Sequence, residues 1–247
     1  MVAAAVVAIG IGLFVGRPPD GGWAWLAPEL MEALLPFRAP KVFAALASGA
    51  MLAVAGVILQ RLTGNEMASP EVLGVSAGAT LGVTVALFAL SATPLASQLG
   101  FAAAGALLVL TIIFLFAARS GFSVERVLLA GIALGALVDA VVGVLTASGD
   151  PRAMLLMRWM SGSTYTVDAT SALVVTLAAI VLIAVALWAR RWLDIMPLGS
   201  AAARSLGLPL AASRLLLFAL AGLMSAAATL TVGPLSFIGL MGPHLAR

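Results

Sequence analysis

Long runs of apolar residues dominate this sequence, and the stretches between them hold most of its prolines and charged side chains. A run of about 20 apolar residues fits a bilayer, because a helix rises about 1.5 Å per residue across a hydrocarbon core of about 30 Å. Only 9% of the residues are charged, too few to cover a water-soluble fold. The pattern predicts an all-α, polytopic transmembrane helix bundle with spans at residues 2–16, 42–60, 72–92, 98–117, 127–147, 169–189, 214–232 and 234–246.

The orientation follows from the basic residues. Residues 1–16 lack the basic start of a signal peptide, so they are predicted to be the first span. If the N-terminus is cytoplasmic, alternating spans leave eight of the 13 basic residues inside, as the positive-inside rule favours. The last span contains Gly233-Pro234 and Gly242-Pro243, which predicts a broken or tilted helix.

Three connections within this single predicted domain are longer than a turn. Residues 17–41 are predicted to be an outer loop with a short amphipathic helix at 29–35. Residues 148–168 are expected to lie outside, with a helix along the membrane interface rather than across it. Residues 190–213 form the predicted cytoplasmic connection, with helical stretches broken at Pro197, Gly199, Gly207 and Pro209.

Several kinds of chemistry are excluded by composition. The chain has no cysteine and one histidine, which leaves no thiolate or multi-histidine metal site. A net charge of +3 is too small to indicate nucleic acid. No G-x-x-x-x-G-K-[ST] segment is present, so any ATP hydrolysis would need another chain. We expect no cofactor bound by this chain and no catalytic activity.

Three segments carry a resemblance to a known family. Residues 38–83 read RAPKVFAALASGAMLAVAGVILQRLTGNEMASPEVLGVSAGATLGV, residues 198–209 read LGSAAARSLGLP, and residues 233–247 read GPLSFIGLMGPHLAR. In this order they resemble the motifs of the permeases that import iron–siderophore complexes, heme and cobalamin. Two stretches, QRLTGNEMASPEVLG and SGDPRAMLLMRWMSGSTY, are similar to the C-terminal half of the double-length permeases for iron(III)-hydroxamates such as ferrichrome.

The sequence departs from this family in two ways. The family's Asn-Pro is Asn65-Glu66 here. A family permease half also continues for about two helices beyond the Pro-His-x-x-Arg motif. The resemblance therefore predicts about eight of ten typical spans, in a chain that is incomplete at its C-terminus.

The resemblance implies a function and a set of partners. The function is the membrane subunit of an ABC importer for iron(III)-hydroxamate siderophores in a bacterial inner membrane, with another siderophore, heme or cobalamin as alternatives. The implied partners are cytoplasmic ATP-binding subunits, a periplasmic or lipid-anchored siderophore-binding protein and a second permease half. An ion-coupled secondary transporter remains an alternative, with Asp139 as its one clear candidate carboxylate.

Two groups of residues are candidate contacts with these partners. Arg38 and Lys41 lie three apart on one helix face, where they could dock acidic residues of the binding protein or extend to lipid headgroups. The cytoplasmic connection could transmit motion from the ATPase or be an ordinary solvated loop. Its candidate coupling residues are Leu198, Gly199, Ala203, Arg204, Leu206 and Gly207.

Other candidates lie within or beside the spans. Asp139 could line the translocation path or make a structural hydrogen bond, because a carboxylate in a span is costly. Met154, Met157 and Trp159 could contact a bulky substrate or pack at the membrane interface. A structural or gating role is assigned to Asn65, Ser69, Pro70, Gly74, Gly78, Pro243, His244 and Arg247, with helix-end hydrogen bonding expected for His244 and Arg247.

Overall fold

The computed structural model describes residues 2–17, 21–90, 95–119 and 124–245. A two-stranded antiparallel ribbon, β1 (Val15–Gly16) and β2 (Ala24–Trp25), joins the first two helices. Two short 3₁₀ turns occur at Pro70–Leu73 and Met196–Leu198. The α-helices are α1 Val2–Phe14, α2 Pro28–Thr63, α3 Val75–Ala89, α4 Leu95–Arg119, α5 Val124–Ala147, α6 Pro151–Met160, α7 Ala169–Trp188, α8 Arg190–Ile195, α9 Ser200–Ser205, α10 Leu210–Val232 and α11 Ile238–Leu245.

The predicted helix bundle is confirmed, although its spans are unequal. Five described helices are long and apolar enough to cross a membrane: α2, α4, α5, α7 and α10. Helices α1 and α3 are apolar but have only 13 and 15 residues. Helix α11 has eight residues and rises about 12 Å, so its described part does not cross as the eighth predicted span would. The break predicted before it is present, because residues 233–237 are not helical.

The helix predicted at 29–35 is present, but it is the start of α2, so the prediction of a loop continuing to residue 41 is wrong. Helix α2 begins at Pro28 and continues through Pro36 and Pro40 to Thr63, a rise of about 54 Å. Proline at the first helical position is favourable, because its missing N–H would have no partner there. The two internal prolines lie four residues apart, and each removes one backbone hydrogen bond of the helix. The remaining backbone hydrogen bonds are enough to continue the helix through both prolines.

The centre of the bundle is formed by α2 and α10. Half of the apolar window of α2 and 61% of that of α10 are buried, against 22% for α4, α5 and α7. Met51, Ile58 and Leu59 of α2 are fully buried, as are Leu217 and Met224 of α10. The apolar outer faces of α4, α5 and α7 suit contact with lipid or with further membrane helices.

Candidate functional site

The first break in the bundle lies between α2 and α3. Gly64 follows the last residue of α2, and its φ of 64° is the left-handed conformation that glycine adopts without strain. Asn65 then forms a tight turn, since its Oδ1 accepts a hydrogen bond from the Met67 N–H (2.9 Å) and its own N–H donates to Thr63 Oγ1 (3.1 Å). Thus Asn65 closes the turn that follows the helix.

After the end of α2, the chain of the first break turns back towards the core of the bundle. Pro70 is fully buried and packs against Gly239, which also lies against Gly56 of α2. Gly56 lies seven residues before the end of α2, about 10 Å back along the helix. Irregular backbone is tolerated at such depth only where protein buries it. Because α3 starts from this inner position, its 15 residues need to cross only part of the bilayer.

The second break lies between α10 and α11. Gly233, with φ 80°, ends α10 beside Gly162 and the Trp159 carbonyl, and the Ser163 N–H donates to the Val232 carbonyl at 2.7 Å. Phe237 ends the break with φ 69°, the one positive φ at a non-glycine position among the described residues. Such a conformation costs roughly 1–2 kcal/mol, so its surroundings must hold it in place.

The two breaks meet beside the buried contact of Gly239 with Pro70 and Gly56. The Glu71 carboxylate, which is half-buried, accepts a hydrogen bond from the Phe237 N–H at 2.9 Å. Beside it, a Cβ added to Gly239 would overlap the Pro70 ring, and one added to Gly56 would overlap the Gly239 carbonyl. Two segments 166 residues apart in sequence are therefore joined by one carboxylate and by direct backbone contact.

Sequence reasoning missed Glu71, Phe237, Gly56 and Gly239. A signal for Glu71 was present, because an acid between two apolar spans needs a hydrogen-bonding partner. Nothing in the sequence identified Phe237 as that partner.

The predicted structural residue Gly74 has φ 68° and lies against Gly131 of α5, while Gly78 packs on Gly105 of α4. Ser69 precedes the buried 3₁₀ turn in an extended conformation.

The two candidate docking cations lie on α2 and contact other parts of this chain. Arg38 donates from Nη1 to the Val15 carbonyl at 2.7 Å, which holds the end of α1 and β1 against α2. The Lys41 ammonium lies 4.7 Å from the centre of the Tyr165 ring, a cation–π contact. Both side chains are half-buried, and neither pairs with a carboxylate within the described part of the chain.

The second outer segment contains α6, the separate helix that the sequence predicted. Its N-cap is Asp150, whose carboxylate accepts from the Arg152 backbone N–H (2.8 Å) and pairs with the Arg152 guanidinium (2.6 Å). These bonds, first from the side chain and then from the backbone, lower the pKa of Asp150 to about 2. Arg152 also lies over the Phe88 ring at 4.9 Å, which ties α6 to the end of α3.

Helix α6 presents an apolar surface. Met154 and Met157 are 75% and 57% exposed, whereas Leu156 is fully buried and Trp159 is half-buried.

The candidate path residue Asp139 lies on an exposed face of α5 and has no hydrogen bond or ion pair to any residue that the structure describes. No described polar contact joins Asp139 to α6, so their grouping into one path stays a prediction.

The cytoplasmic connection is a chain of short helices. Gly199, with φ 92°, starts α9, and Gly207, with φ 79°, follows it. Ala203 is fully buried, so α9 is anchored to the bundle at its centre. The Arg214 guanidinium donates to Ser200 Oγ at 3.1 Å and joins α9 to α10. The other five candidates are exposed: Leu198, Gly199, Arg204, Leu206 and Gly207.

The last motif ends in α11. Pro243 is buried and His244 is exposed in the last turn, whereas Arg247 lies outside the described residues. Gly242 of the same helix packs on Ala53 of α2. Over the part of the chain that the structure describes, no three His, Cys, Asp or Glu side chains are close enough to bind a metal ion.

Curated relatives match the chain along nearly all of its length. It is 46% identical over 245 residues to the iron(3+)-hydroxamate import system permease protein FhuB of Salmonella typhimurium, covering 99% of this chain and 36% of that protein. FhuB of Escherichia coli is 47% identical over 244 residues, with 98% and 36% covered. The chain thus spans little more than a third of these relatives. The vitamin B12 import system permease protein BtuC of Citrobacter koseri is 37% identical over 233 residues, with 92% and 68% covered.

A solved structure and a family profile agree with these relatives. The fold is similar to that of an ABC transporter described as of metal-chelate type in an inward-facing conformation, with a TM-score of 0.86 and 26% identity. That match covers 100% of this chain and 79% of the other. The profile of the FecCD transport family matches residues 1–247. The chain, a multi-pass bundle of membrane helices, belongs to the FecCD transport family.

Proposed function

We propose that this chain is the transmembrane permease part of an ABC importer for iron(III)-hydroxamate siderophores in the inner membrane of a bacterium. The observation that carries the proposal is the 46% identity to an iron(3+)-hydroxamate import permease over 99% of the chain. The permease has no catalytic role of its own in this scheme. ATP-binding subunits on other chains supply the energy, since the sequence has no phosphate-binding loop of the P-loop type.

The coupling step would begin at α9. Arg204 of α9 offers a charge to an ATPase, and the exposed Leu198 and Leu206 on either side of the helix offer two apolar contacts. Buried Ala203 keeps the helix on the bundle. Because Arg214 ties α9 to the start of α10, a push on α9 would pass directly into this central helix. A mechanical link of this kind needs a rigid element that reaches the core, and α10 is such an element.

The C-terminal end of α10 would pass the displacement of α9 on to the two breaks. Helix α10 ends at the second break, which contacts Trp159 of α6, contacts Gly162 just after that helix, and bonds to Glu71 of the first break. Non-helical backbone can change its φ and ψ angles at lower cost than an intact helix, so hinges form at such places. We therefore place the hinge of alternating access where the Glu71 carboxylate joins the two breaks.

The substrate would pass between two permease halves. The exposed faces of α5 and α6 carry Asp139, Met154 and Met157, and Trp159 lies partly buried beside them. A wide, weakly polar passage suits a bulky chelate, because a separate binding protein supplies the affinity. Arg38 and Lys41 would dock acidic residues of that protein on the outer face.

The proposed orientation places the N-terminus in the cytoplasm. Gly12 of α1 packs on Val42 of α2, and Val15 accepts a bond from Arg38, so the two helices run antiparallel. Helix α2 then runs from the outer face to Arg61 in its last turn. The 20 residues from Lys41 to Arg61 rise about 30 Å, the thickness of the hydrocarbon core.

Uptake of radiolabelled ferric ferrichrome tests the proposal. The native gene that contains this sequence is expressed with its ATPase and binding protein in cells without their own permease, and labelled cobalamin and heme serve as controls. We expect uptake of ferrichrome alone, lost when the ATPase is inactivated. Uptake of cobalamin would instead favour the relationship to BtuC, and uptake that does not need the ATPase would contradict the importer.

A further inference from the structure

The cytoplasmic end of α7 carries an aromatic pair with two arginines between its members. Trp188 is the last residue of α7 and Trp192 lies in α8. Their rings meet edge to face, with centroids 5.6 Å apart and planes at 66°. Trp188 is 72% exposed, whereas Trp192 is half-buried and packs against the core, so the core holds Trp192 in place while the Trp188 ring stays accessible.

The length of α7 places this pair at the membrane boundary. Helix α7 has 20 residues and rises about 30 Å, which matches the hydrocarbon core. Tryptophan is favoured at such a boundary, where its ring is apolar and its indole N–H can reach polar groups. An unbroken apolar face leads along α7 to this point and exposes Leu173, Val174, Leu177, Ile180, Val181 and Leu187.

The charges of α8 lie at the same level. Arg190 and Arg191 are exposed, and no hydrogen bond or ion pair joins either guanidinium to another described side chain. Asp194, also exposed, is the one acid of α8 and forms no ion pair with them, so the helix keeps a net positive charge. Buried Leu193 fixes α8 against the bundle and thereby limits how far the arginines can move from the tryptophans.

We propose that Trp188, Arg190, Arg191 and Trp192 bind the headgroup of an anionic phospholipid in the cytoplasmic leaflet. Guanidinium groups bind phosphate oxygens with paired hydrogen bonds, and basic residues next to a membrane attract anionic lipid. The exposed face of α7 would contact the acyl chains of the same molecule. This continuity of charged and apolar surface favours a lipid over a free phosphate ion, which would use the arginines alone.

Tryptophan quenching by brominated lipids tests this site. The chain is reconstituted in phosphatidylcholine vesicles that contain a fixed fraction of brominated phosphatidylglycerol or of brominated phosphatidylcholine. The chain has five tryptophans, so the signal of the pair is the difference from a Trp188→Phe/Trp192→Phe variant. The test variant is Arg190→Gln/Arg191→Gln. The matched control is Arg158→Gln, which removes an exposed cation from α6 at the other side of the membrane.

We expect the pair to prefer phosphatidylglycerol by roughly fivefold, since each basic residue adds about that factor and Asp194 offsets one of the two. The preference should fall to about one in the double arginine variant and stay unchanged in Arg158→Gln. Equal quenching by the two lipids, or a preference that persists in the double variant, would overturn the proposal. So would loss of the preference when millimolar inorganic phosphate is added, because the arginines would then bind a free ion.

Discussion

Glu71 and Phe237 are joined by a hydrogen bond of 2.9 Å from the Phe237 N–H to the Glu71 carboxylate. The bond connects the break after α2 with the break after α10, so two helix–break–helix segments are fastened at their irregular parts. Phe237 has a positive φ of 69°, and the bond offsets part of the cost of that conformation. A carboxylate is suited to this position, because it accepts a strong hydrogen bond without bringing another donor into the bundle.

Removal of the Glu71 acceptor should destabilise the chain. Glu71→Ala leaves the Phe237 N–H without this partner, and because the bond is exposed we expect it to lower the free energy of unfolding by about 0.5–1.5 kcal/mol. Glu71→Gln keeps an oxygen acceptor and should lose less. Thermal unfolding in detergent measures both, with Glu29→Ala, an exposed acid near the start of α2, as the control. If Glu71→Ala unfolds like the control, the bond does not hold the two breaks together.

A methyl group at Gly239 should be costly, because Gly239 is enclosed by Pro70, Gly56 and the Leu52 carbonyl. Backbone and a proline ring cannot move aside as a flexible side chain can, so we expect Gly239→Ala to cost about 1–3 kcal/mol of stability. Gly143→Ala on α5 is the matched control, since no atom lies within 4 Å of its added Cβ. The control should be neutral or slightly stabilising. Equal melting temperatures for the two variants would contradict the close contact of α2, α11 and the first break.

Charge reversal at Arg204 tests the proposed ATPase contact. Arg204 is exposed on α9 and forms no ion pair with the other described residues, so Arg204→Glu should leave the fold intact. We expect the variant to recover several-fold less ATPase when the complex is purified through the permease, because like charges at an interface repel. Arg158→Glu on the outer side provides the comparison. Unchanged recovery of the ATPase would remove Arg204 from the interface.

Docking of the binding protein is tested best at Lys41. Its contact with Tyr165 is replaceable, whereas Arg38 also holds the Val15 carbonyl and would change the packing of α1 if reversed. We expect Lys41→Glu to lower the affinity for the binding protein and Lys41→Arg to retain most of it, because the charge is what docking requires. Titration of the binding protein onto permease in nanodiscs gives both affinities. Docking does not involve Lys41 if the reversed variant binds as tightly as the native chain.

Asp150, the N-cap of α6, should stabilise the chain less as the pH falls. The pKa of Asp150 is lowered to about 2, so its contribution to stability is complete above the ordinary value of 3.8 and is lost as the pH falls through about 2. Asp150→Asn removes the charge and keeps a capping oxygen. We expect the native chain to melt above the variant at pH 7, with the difference shrinking between pH 4 and 2. A difference that is constant over this range would contradict the lowered pKa of Asp150.

The sequence could predict the spans because apolar length is a local property. Each predicted span overlaps a helix, although only five of the described helices are long enough to cross a membrane. The helix at residues 151–160 was expected as an interfacial segment. Helix α2 was misjudged because Pro36 and Pro40 are usually boundary signals. Contacts with Val15 and the ribbon before α2 hold this part of the chain as helix, and such contacts are not visible in a local pattern.

The candidate site was predictable only in part. The motifs around Asn65 and Pro243 identified the segments that meet, because their glycines and prolines interrupt apolar runs. Arg38, Lys41 and Arg204 were identifiable as charges at span ends, and the tertiary structure added that Arg38 and Lys41 already have partners in the chain.

The sequence alone therefore determined the membrane environment, the helical class and the order of the helices, because burial of backbone polar groups in lipid leaves few other solutions. Tertiary structure decided which breaks meet, since a hydrogen bond across 166 residues depends on how α2 and α10 pack and not on neighbouring residues. It also decided that Glu71 faces Phe237, that Gly56 faces Gly239 and that Trp188 faces Trp192. The first two pairings depend on the close approach of helices, which becomes defined only when the whole bundle is assembled, whereas the tryptophan pair depends on the local bend between α7 and α8.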